Sequence, residues 1–222
     1  ALAQGIVAAD KDDDIKVILI RGTEACFTSG NDVNDFVKSP DLGTERPSVQ
    51  FMKAIGHARK PVIAAVGGLA IGIGTTMLLH MDMVVASDDS SFGYPGVPNL
   101  AAPPGMHVWH LQKLIGRMRA AELILTGDPI DASEAGRLGL VTKVVPRAVL
   151  ESATRSLALR LAAMSPLALK ITRDLIYEME NMDFKDVPRR ALEATSGAFA
   201  SEDSKEARRA FNEKRAAIWK GR

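Results

Sequence analysis

The stretch from Pro61 to Ser87 constrains this chain most. Pro61-Val62-Ile63-Ala64-Ala65-Val66 is a short, unbroken apolar run with several β-branched residues. Such a run predicts a strand covered on both faces, as in a parallel sheet. Gly67-Gly68-Leu69-Ala70-Ile71-Gly72-Ile73-Gly74 follows, then helical spacing from about Thr75 to His80, then a further strand at Asp82-Met83-Val84-Val85-Ala86-Ser87. Strand, glycine loop, helix, strand is a βαβ unit, and its crossover is right-handed in nearly every case. A chain carrying this unit is committed to an α/β sheet. Its 222 residues are enough to cover one, because a chain of this length buries roughly 70–75% of its extended surface.

The remaining pattern fits around that unit. The Ala-rich opening reads as the tail of a helix, and Lys16–Arg21 as a buried strand closed by Gly22. Cys26-Phe27-Thr28-Ser29-Gly30-Asn31-Asp32 is a polar loop of turn formers. Residues 33–48 read as irregular and residues 49–58 as a helix. Tyr94–Met106 holds four prolines and predicts a constrained loop with no helix. Residues 107–115 and 117–125 read as helices, Asp131 or Ser133 starts a short one that stops at Gly139, and Val141–Val145 is a last short strand. From Arg147 the pattern is helical to the end, with breaks near Ser165-Pro166, Asp183 and Ser201. The chain therefore divides into an α/β part, residues 1–145, and a helical part, residues 146–222. Apolar spacing in the second part predicts packing on a neighbouring subunit.

Charge and composition exclude several classes. Twenty-eight basic residues face 27 acidic ones, for a net charge of +1, so no nucleic-acid binder relying on bulk charge is expected. Cys26 is the sole cysteine; it permits no intrachain disulfide and fits a reducing compartment. Apolar stretches fall short of the ~20 residues of a membrane-spanning helix. The opening lacks the features of a secretory signal, and the expected location is the cytoplasm, with an organelle matrix equally compatible. His107 and His110, at i, i+3, share a helix face, but no third ligand type accompanies them, so no metal site is expected.

The glycine loop fails the tests for a phosphate cradle. It lacks Gly-Lys-Ser/Thr, and Gly72-x-Gly74 is not followed by the third glycine of a dinucleotide fingerprint. One reading is tight strand–helix packing. The other is functional: glycines before a helix leave backbone N–H groups unpaired and uncovered. Such groups can hold a carbonyl oxygen that gains negative charge, provided a second donor comes from elsewhere. Gly30-Asn31-Asp32 is the other loop of matching character.

These residues also carry a resemblance. Cys26–Val33 resembles the first oxyanion loop of the crotonase (enoyl-CoA hydratase/isomerase) superfamily, and Lys60–Gly74 its second. Phe92-Gly93, Leu114-Ile115-Gly116, Ala121–Gly127, Ala135–Val141, Ser165–Lys170 and Ser201–Glu206 continue the match in family order along nearly the whole chain. The resemblance implies a crotonase-like spiral of ββα turns with a C-terminal helical trimerisation region, forming trimers or dimers of trimers. The chain starts inside the family's first helix, so the opening strands lie outside this sequence. The implied substrate is an acyl-CoA thioester, with coenzyme A as part of the substrate and no separate cofactor. Its carbonyl oxygen and the enolate formed from it would rest on the backbone N–H groups of Asn31 and Ile73. Gly30, Asp32, Gly72, Gly74 and Tyr94 would line the substrate site. Phe211 and Lys214 near the chain end would meet the adenosine and phosphates, with Lys53, Arg59 and Lys60 as further cations near the mouth. In motif style the loops are closest to the Δ3,Δ2-enoyl-CoA isomerase branch.

The family's acids are substituted. The two hydratase glutamates would fall at Thr76 and Gly96, and the isomerase glutamate at Pro104. No Asp or Glu occurs between Glu45 and Asp82, or between Asp89 and Glu122, so a shifted alignment recovers none. Adding water or moving a proton needs a group that takes and returns protons. Three readings stay open: a substitute base, a reaction needing only enolate stabilisation, or acyl-CoA binding without turnover. His107 is the leading substitute base, with His110 behind it. A hydrolase of a non-CoA β-diketone is a more distant reading. Asp82 and Glu122 are expected to be structural, and Cys26 a small packed residue rather than a nucleophile.

Overall fold

The computed structural model describes residues 1–32, 46–103, 105 and 107–222. Its centre is the predicted parallel sheet. Strands β1 (Ile18–Arg21), β2 (Val62–Val66), β4 (Met83–Ser87) and β7 (Lys143–Val145) lie in the order β1-β2-β4-β7, every pair parallel. Every residue of β2 is buried, which is why its sequence shows no polar alternation. Helices α1 (Leu2–Lys11) and α2 (Pro47–Gly56) pack together and against this sheet through Ile6, Phe51 and Ile55.

A second sheet, of three strands, was not predicted. β3 (Leu69–Ile71), β5 (Ser91–Gly93) and β6 (Ile130–Asp131) lie in the order β3-β5-β6. Each is two or three residues long, too short to show a period of two. β3 lies inside the glycine segment, and helix α3 (Ile73–Leu78) begins two residues earlier than the spacing suggested.

The proline-rich segment also differs from expectation. It contains a short helix, α4 (Gly96–Leu100), ended by Ala101 in the left-handed region at φ 50°. Pro98 is tolerated there because a first-turn N–H has no intrahelical acceptor to lose. α5 (His107–Ile115), α6 (Arg117–Thr126) and α7 (Ala132–Leu138) follow as predicted, α7 capped by the Asp131 carboxylate, which accepts the Glu134 N–H at 2.8 Å.

Helices α8 (Leu150–Ala162), α9 (Pro166–Met179), α10 (Val187–Ala200) and α11 (Glu202–Glu213) break where the sequence indicated. They do not run to the end. Lys214 turns left-handed at φ 53° and the tail folds back. Asp203 fixes it, accepting N–H groups of Lys220 and Gly221 at 2.7 and 3.0 Å and the Ser165 hydroxyl at 2.6 Å.

One buried ion pair ties the helical part to the sheet. Arg173 of α9, 6% exposed, donates to Asp82 at 2.9 Å and to the carbonyls of Ala58 and Ile55. Asp82 also accepts the Val62 N–H at 2.7 Å and the Tyr177 hydroxyl at 3.0 Å. Its carboxylate is fully engaged in structure, as expected. Among the described residues no helix is long and apolar enough to cross a membrane.

Candidate functional site

Two loops leave their sheets side by side. Thr28 forms a parallel bridge with Ala70: its N–H donates to Leu69 O at 3.0 Å and its carbonyl accepts from Ile71 N at 3.1 Å. Both chains then run three residues further, one to Asn31 and the other to Ile73. The shared register brings the two expected donors to the same end of the joint.

Glycine permits this approach. A Cβ on Gly74 would lie 2.4 Å from the Thr28 methyl, and a Cβ on Gly30, at φ 101°, would lie 2.9 Å from Ile71 O. By contrast, a Cβ on Gly72 would meet nothing within 4 Å, so the ground beside Ile73 is open.

Ile73 is the first residue of α3. Gly72 anchors the turn, donating to Gly93 O at 2.9 Å and accepting from Thr75 N and Thr76 N at 3.1 and 3.0 Å. No acceptor among the described residues meets the N–H of Ile73 or of Asn31. Asn31 and Asp32 are exposed, and Ile73 is half-buried.

Two of the substituted acid positions lie within the described residues. Thr76 is buried on α3, its hydroxyl donating to Gly72 O at 3.0 Å. Gly96 opens α4, where a Cβ would lie 3.0 Å from Ala102 O. Pro104 lies outside the described residues, as does Met106.

Next to α3 is a cluster the sequence showed only in part. Tyr94 and His107 meet ring to ring at 3.7 Å, and His80 and His110 at 4.6 Å. Tyr94 is 3% exposed, His107 0% and His80 8%. Burial pushes the Tyr94 phenol well up, opposed by the nearby Thr75 hydroxyl. That hydroxyl is directed to the carbonyls of Ala70 and Gly93. Burial, then His80 and His110, holds His107 down at about 3. Burial and His110 hold His80 at about 4. His110 is also lowered, chiefly by burial, with Glu180 opposing. His107, read from sequence as a base, is therefore a neutral imidazole that accepts a proton reluctantly. Sequence reasoning missed His80, whose distance in sequence from His107 hid their proximity in space.

Other candidates fall elsewhere. Arg59 pairs with Asp10 at 3.0 Å and Lys60 donates to Ala9 O at 2.7 Å, so both tie α1 to the start of β2. Phe211, 84% exposed, lies on α11 and Lys214 just beyond it, in the helical part. Glu122 pairs with Arg119 on the surface of α6. Cys26 is half-buried in the turn before Thr28. A cavity of about 610 Å³ lies away from both donors, lined by Leu19, Arg21, Glu24, Arg147, Glu151 and others. Its Arg147 is engaged by Asp89 and the Glu24 carbonyl. Among the described residues no group of three His, Cys, Asp or Glu is placed to hold a metal ion.

Comparison with known proteins gives the family and the fold. The sequence profile described as "Enoyl-CoA hydratase/isomerase" matches residues 1–222. The chain is 30% identical to the short-chain-enoyl-CoA hydratase of Clostridium acetobutylicum, over 93% of this chain and 80% of that protein. It is 33% identical to the mitochondrial enoyl-CoA hydratase domain-containing protein 3 of Homo sapiens, over 93% of this chain and 69% of that protein. The crystal structure of an enoyl-CoA hydratase from Bacillus anthracis superposes with a TM-score of 0.92 at 29% identity, over 100% of this chain and 87% of that one. An enoyl-CoA hydratase subunit I from Geobacillus kaustophilus gives 0.90 at 34% identity, over 100% and 88%. With its parallel sheet, its paired glycine loops and its C-terminal helices, this chain has the crotonase fold and belongs to the enoyl-CoA hydratase/isomerase family.

Proposed function

We propose that this chain binds an acyl-CoA thioester at the joint of the two glycine loops. The thioester oxygen rests on the N–H groups of Asn31 and Ile73, which stabilise the enolate. The observation that carries this reading is the pair of unmet N–H groups brought together by the Thr28–Ala70 bridge. Charge on an enolate oxygen grows in the transition state, and one such donor is worth about 2.7–4 kcal/mol of barrier in other enzymes. Gly30, Asp32, Gly72 and Gly74 form the floor, and Phe211 and Lys214 meet the CoA end. No cofactor beyond the substrate's own CoA enters the chemistry. The active unit is a trimer or a dimer of trimers in the cytoplasm or an organelle matrix.

Proton transfer separates hydratase from isomerase chemistry here. A folded pKa of about 3 makes His107 a weak base, costing roughly 5 kcal/mol to protonate relative to free imidazole. The reading therefore favours a reaction led by polarisation of the thioester, in which His107 serves as base only at that cost. A second reading, acyl-CoA binding without turnover, is favoured by the carboxylate-free segments 46–81 and 90–121.

The deciding experiment is mass-resolved turnover of a panel of saturated and unsaturated acyl-CoAs, with calorimetric binding of the same compounds. Gain of one water is hydration, a double-bond shift at unchanged mass is isomerisation, and binding alone selects the second reading. Ile73→Pro removes one donor at a first-turn position that accepts proline. Its expected effect is a 10²–10³-fold loss of turnover; undiminished turnover sinks the oxyanion assignment.

A further inference from the structure

Five buried side-chain polar atoms have no hydrogen-bond partner among the described residues. Four of them belong to one cluster: Tyr94 Oη, His107 Nδ1, His107 Nε2 and His80 Nε2. Leaving a buried polar atom unpaired is costly, and native structures hold few such atoms. Four on three neighbouring side chains is a concentration that packing alone does not explain, since Phe or Leu would fill the same space without the penalty.

The cluster adjoins the thioester ground. Tyr94 directly follows Gly93, whose carbonyl accepts from Gly72 N at 2.9 Å, and it borders Thr75 in the first turn of α3. His80 lies just beyond the end of the same helix, four residues after Thr76. A group carried on an acyl chain held at Ile73 therefore has α3 as its guide to the cluster.

The atoms state which group fits. A neutral imidazole offers one donor and one acceptor, and a phenol offers both. Their natural complement is a group that also donates and accepts without a charge. A carboxylate would require a protonated imidazole, which burial opposes at both His80 and His107. A plain methyl end would leave all four atoms unpaired.

We propose that Tyr94, His107 and His80 form a hydrogen-bonding subsite for an uncharged hydroxyl group on the acyl chain, so that the preferred substrates are oxygenated rather than plain alkyl thioesters. This rests on the thioester reading above for how the chain is delivered. The subsite itself is testable without CoA.

Two measurements on the same protein separate the two claims. The first is ¹⁵N NMR of the histidine side chains during titration with 1-hexanol as the probe. Shifts at the His80 and His107 nitrogens in the wild type, lost in Tyr94→Phe, support the subsite. Unmoved nitrogens overturn it, whatever CoA compounds do. The second is calorimetric binding of octanoyl-CoA beside analogues with a hydroxyl at successive carbons from C4 to C8. One position is expected to bind about 10- to 100-fold tighter than the plain chain, and Tyr94→Phe is expected to erase that preference. Equal binding of all analogues overturns the subsite while leaving the thioester reading intact; failure of every CoA ester, with the hexanol shifts present, overturns the thioester reading alone. Tyr94→Phe also reports in the free protein. A hydroxyl kept for a ligand costs no melting temperature when removed, whereas a clear drop means that internal water already satisfies it and the proposal fails.

Discussion

Single residues set the site through close approach and burial. Gly74 is required because Thr28 occupies the space of its side chain. Gly74→Ala is expected to displace the 28–31 loop, weaken acyl-CoA binding and cost about 1–3 kcal/mol of stability. Thr28→Ser removes the clashing methyl yet keeps the hydroxyl that accepts the Gly30 N–H at 3.2 Å. The double variant should therefore recover much of the loss, and a double-mutant cycle by urea denaturation checks it. Burial at His80 and His107 has a consequence for pH. Above about pH 6.5 both are neutral whether folded or unfolded. As pH falls the unfolded chain takes up protons near 6.5, while the folded histidines resist to about 4 and 3. Folded stability is thus lost as pH falls through this window, by up to ~1.4 kcal/mol per pH unit for each histidine. Urea midpoints at pH 7.5, 6.5 and 5.5 measure the slope, and His80→Phe should flatten it by one histidine's share. None of this was legible in sequence at His80, since nothing in a helix-end histidine reveals what will cover it. His107 was legible as a candidate, but its chemistry was not, because a pKa depends on surroundings that the chain supplies from elsewhere.

Among the elements, the caps and boundaries of the larger helices were legible because their signals are local. Asp131 before α7, Ser165 before α9 and Ser201 before α11 each accept a first-turn N–H as their sequence positions suggest. Asp131→Ala should cost about 1 kcal/mol, read as a lower thermal midpoint with acyl-CoA binding unchanged. The short strands β3, β5 and β6 were not legible, because they are held by partners distant in sequence rather than by their own pattern. α4 was masked by its prolines, which punctuate a chain without always breaking a first turn. Arg173 shows the other side of this scale. Its helix was readable, while its place under the sheet beside Asp82 was not. Asp82→Ala leaves that guanidinium buried without a counter-charge, held only by the carbonyls of Ala58 and Ile55, with an expected loss of 3–5 kcal/mol. Chemical denaturation checks this, and replacing both partners with apolar residues should recover part of it.

For the whole molecule, the helical part carries much of the exposed apolar surface. Leu192 and Phe199 of α10 and Phe184 before it are all more than half exposed in the single chain. The proposed trimer would cover these side chains. Light scattering after gel filtration should return three or six times the chain mass, and Phe199→Glu should shift it toward one. A wild-type monomer at micromolar concentration would remove the trimer from the reading. The sequence by itself determined the α/β class, the parallel strands at its centre, the family motifs, and the absence of acids at the expected positions. Those features are written in runs and spacings that need no knowledge of neighbours. Only the tertiary structure decided that Asn31 and Ile73 share one end of a bridge, that Arg59 and Lys60 tie α1 to the start of β2, and that His80 joins Tyr94 and His107 in a buried cluster. Each of these depends on residues distant in sequence meeting in space, where burial rather than residue type sets hydrogen bonding and charge.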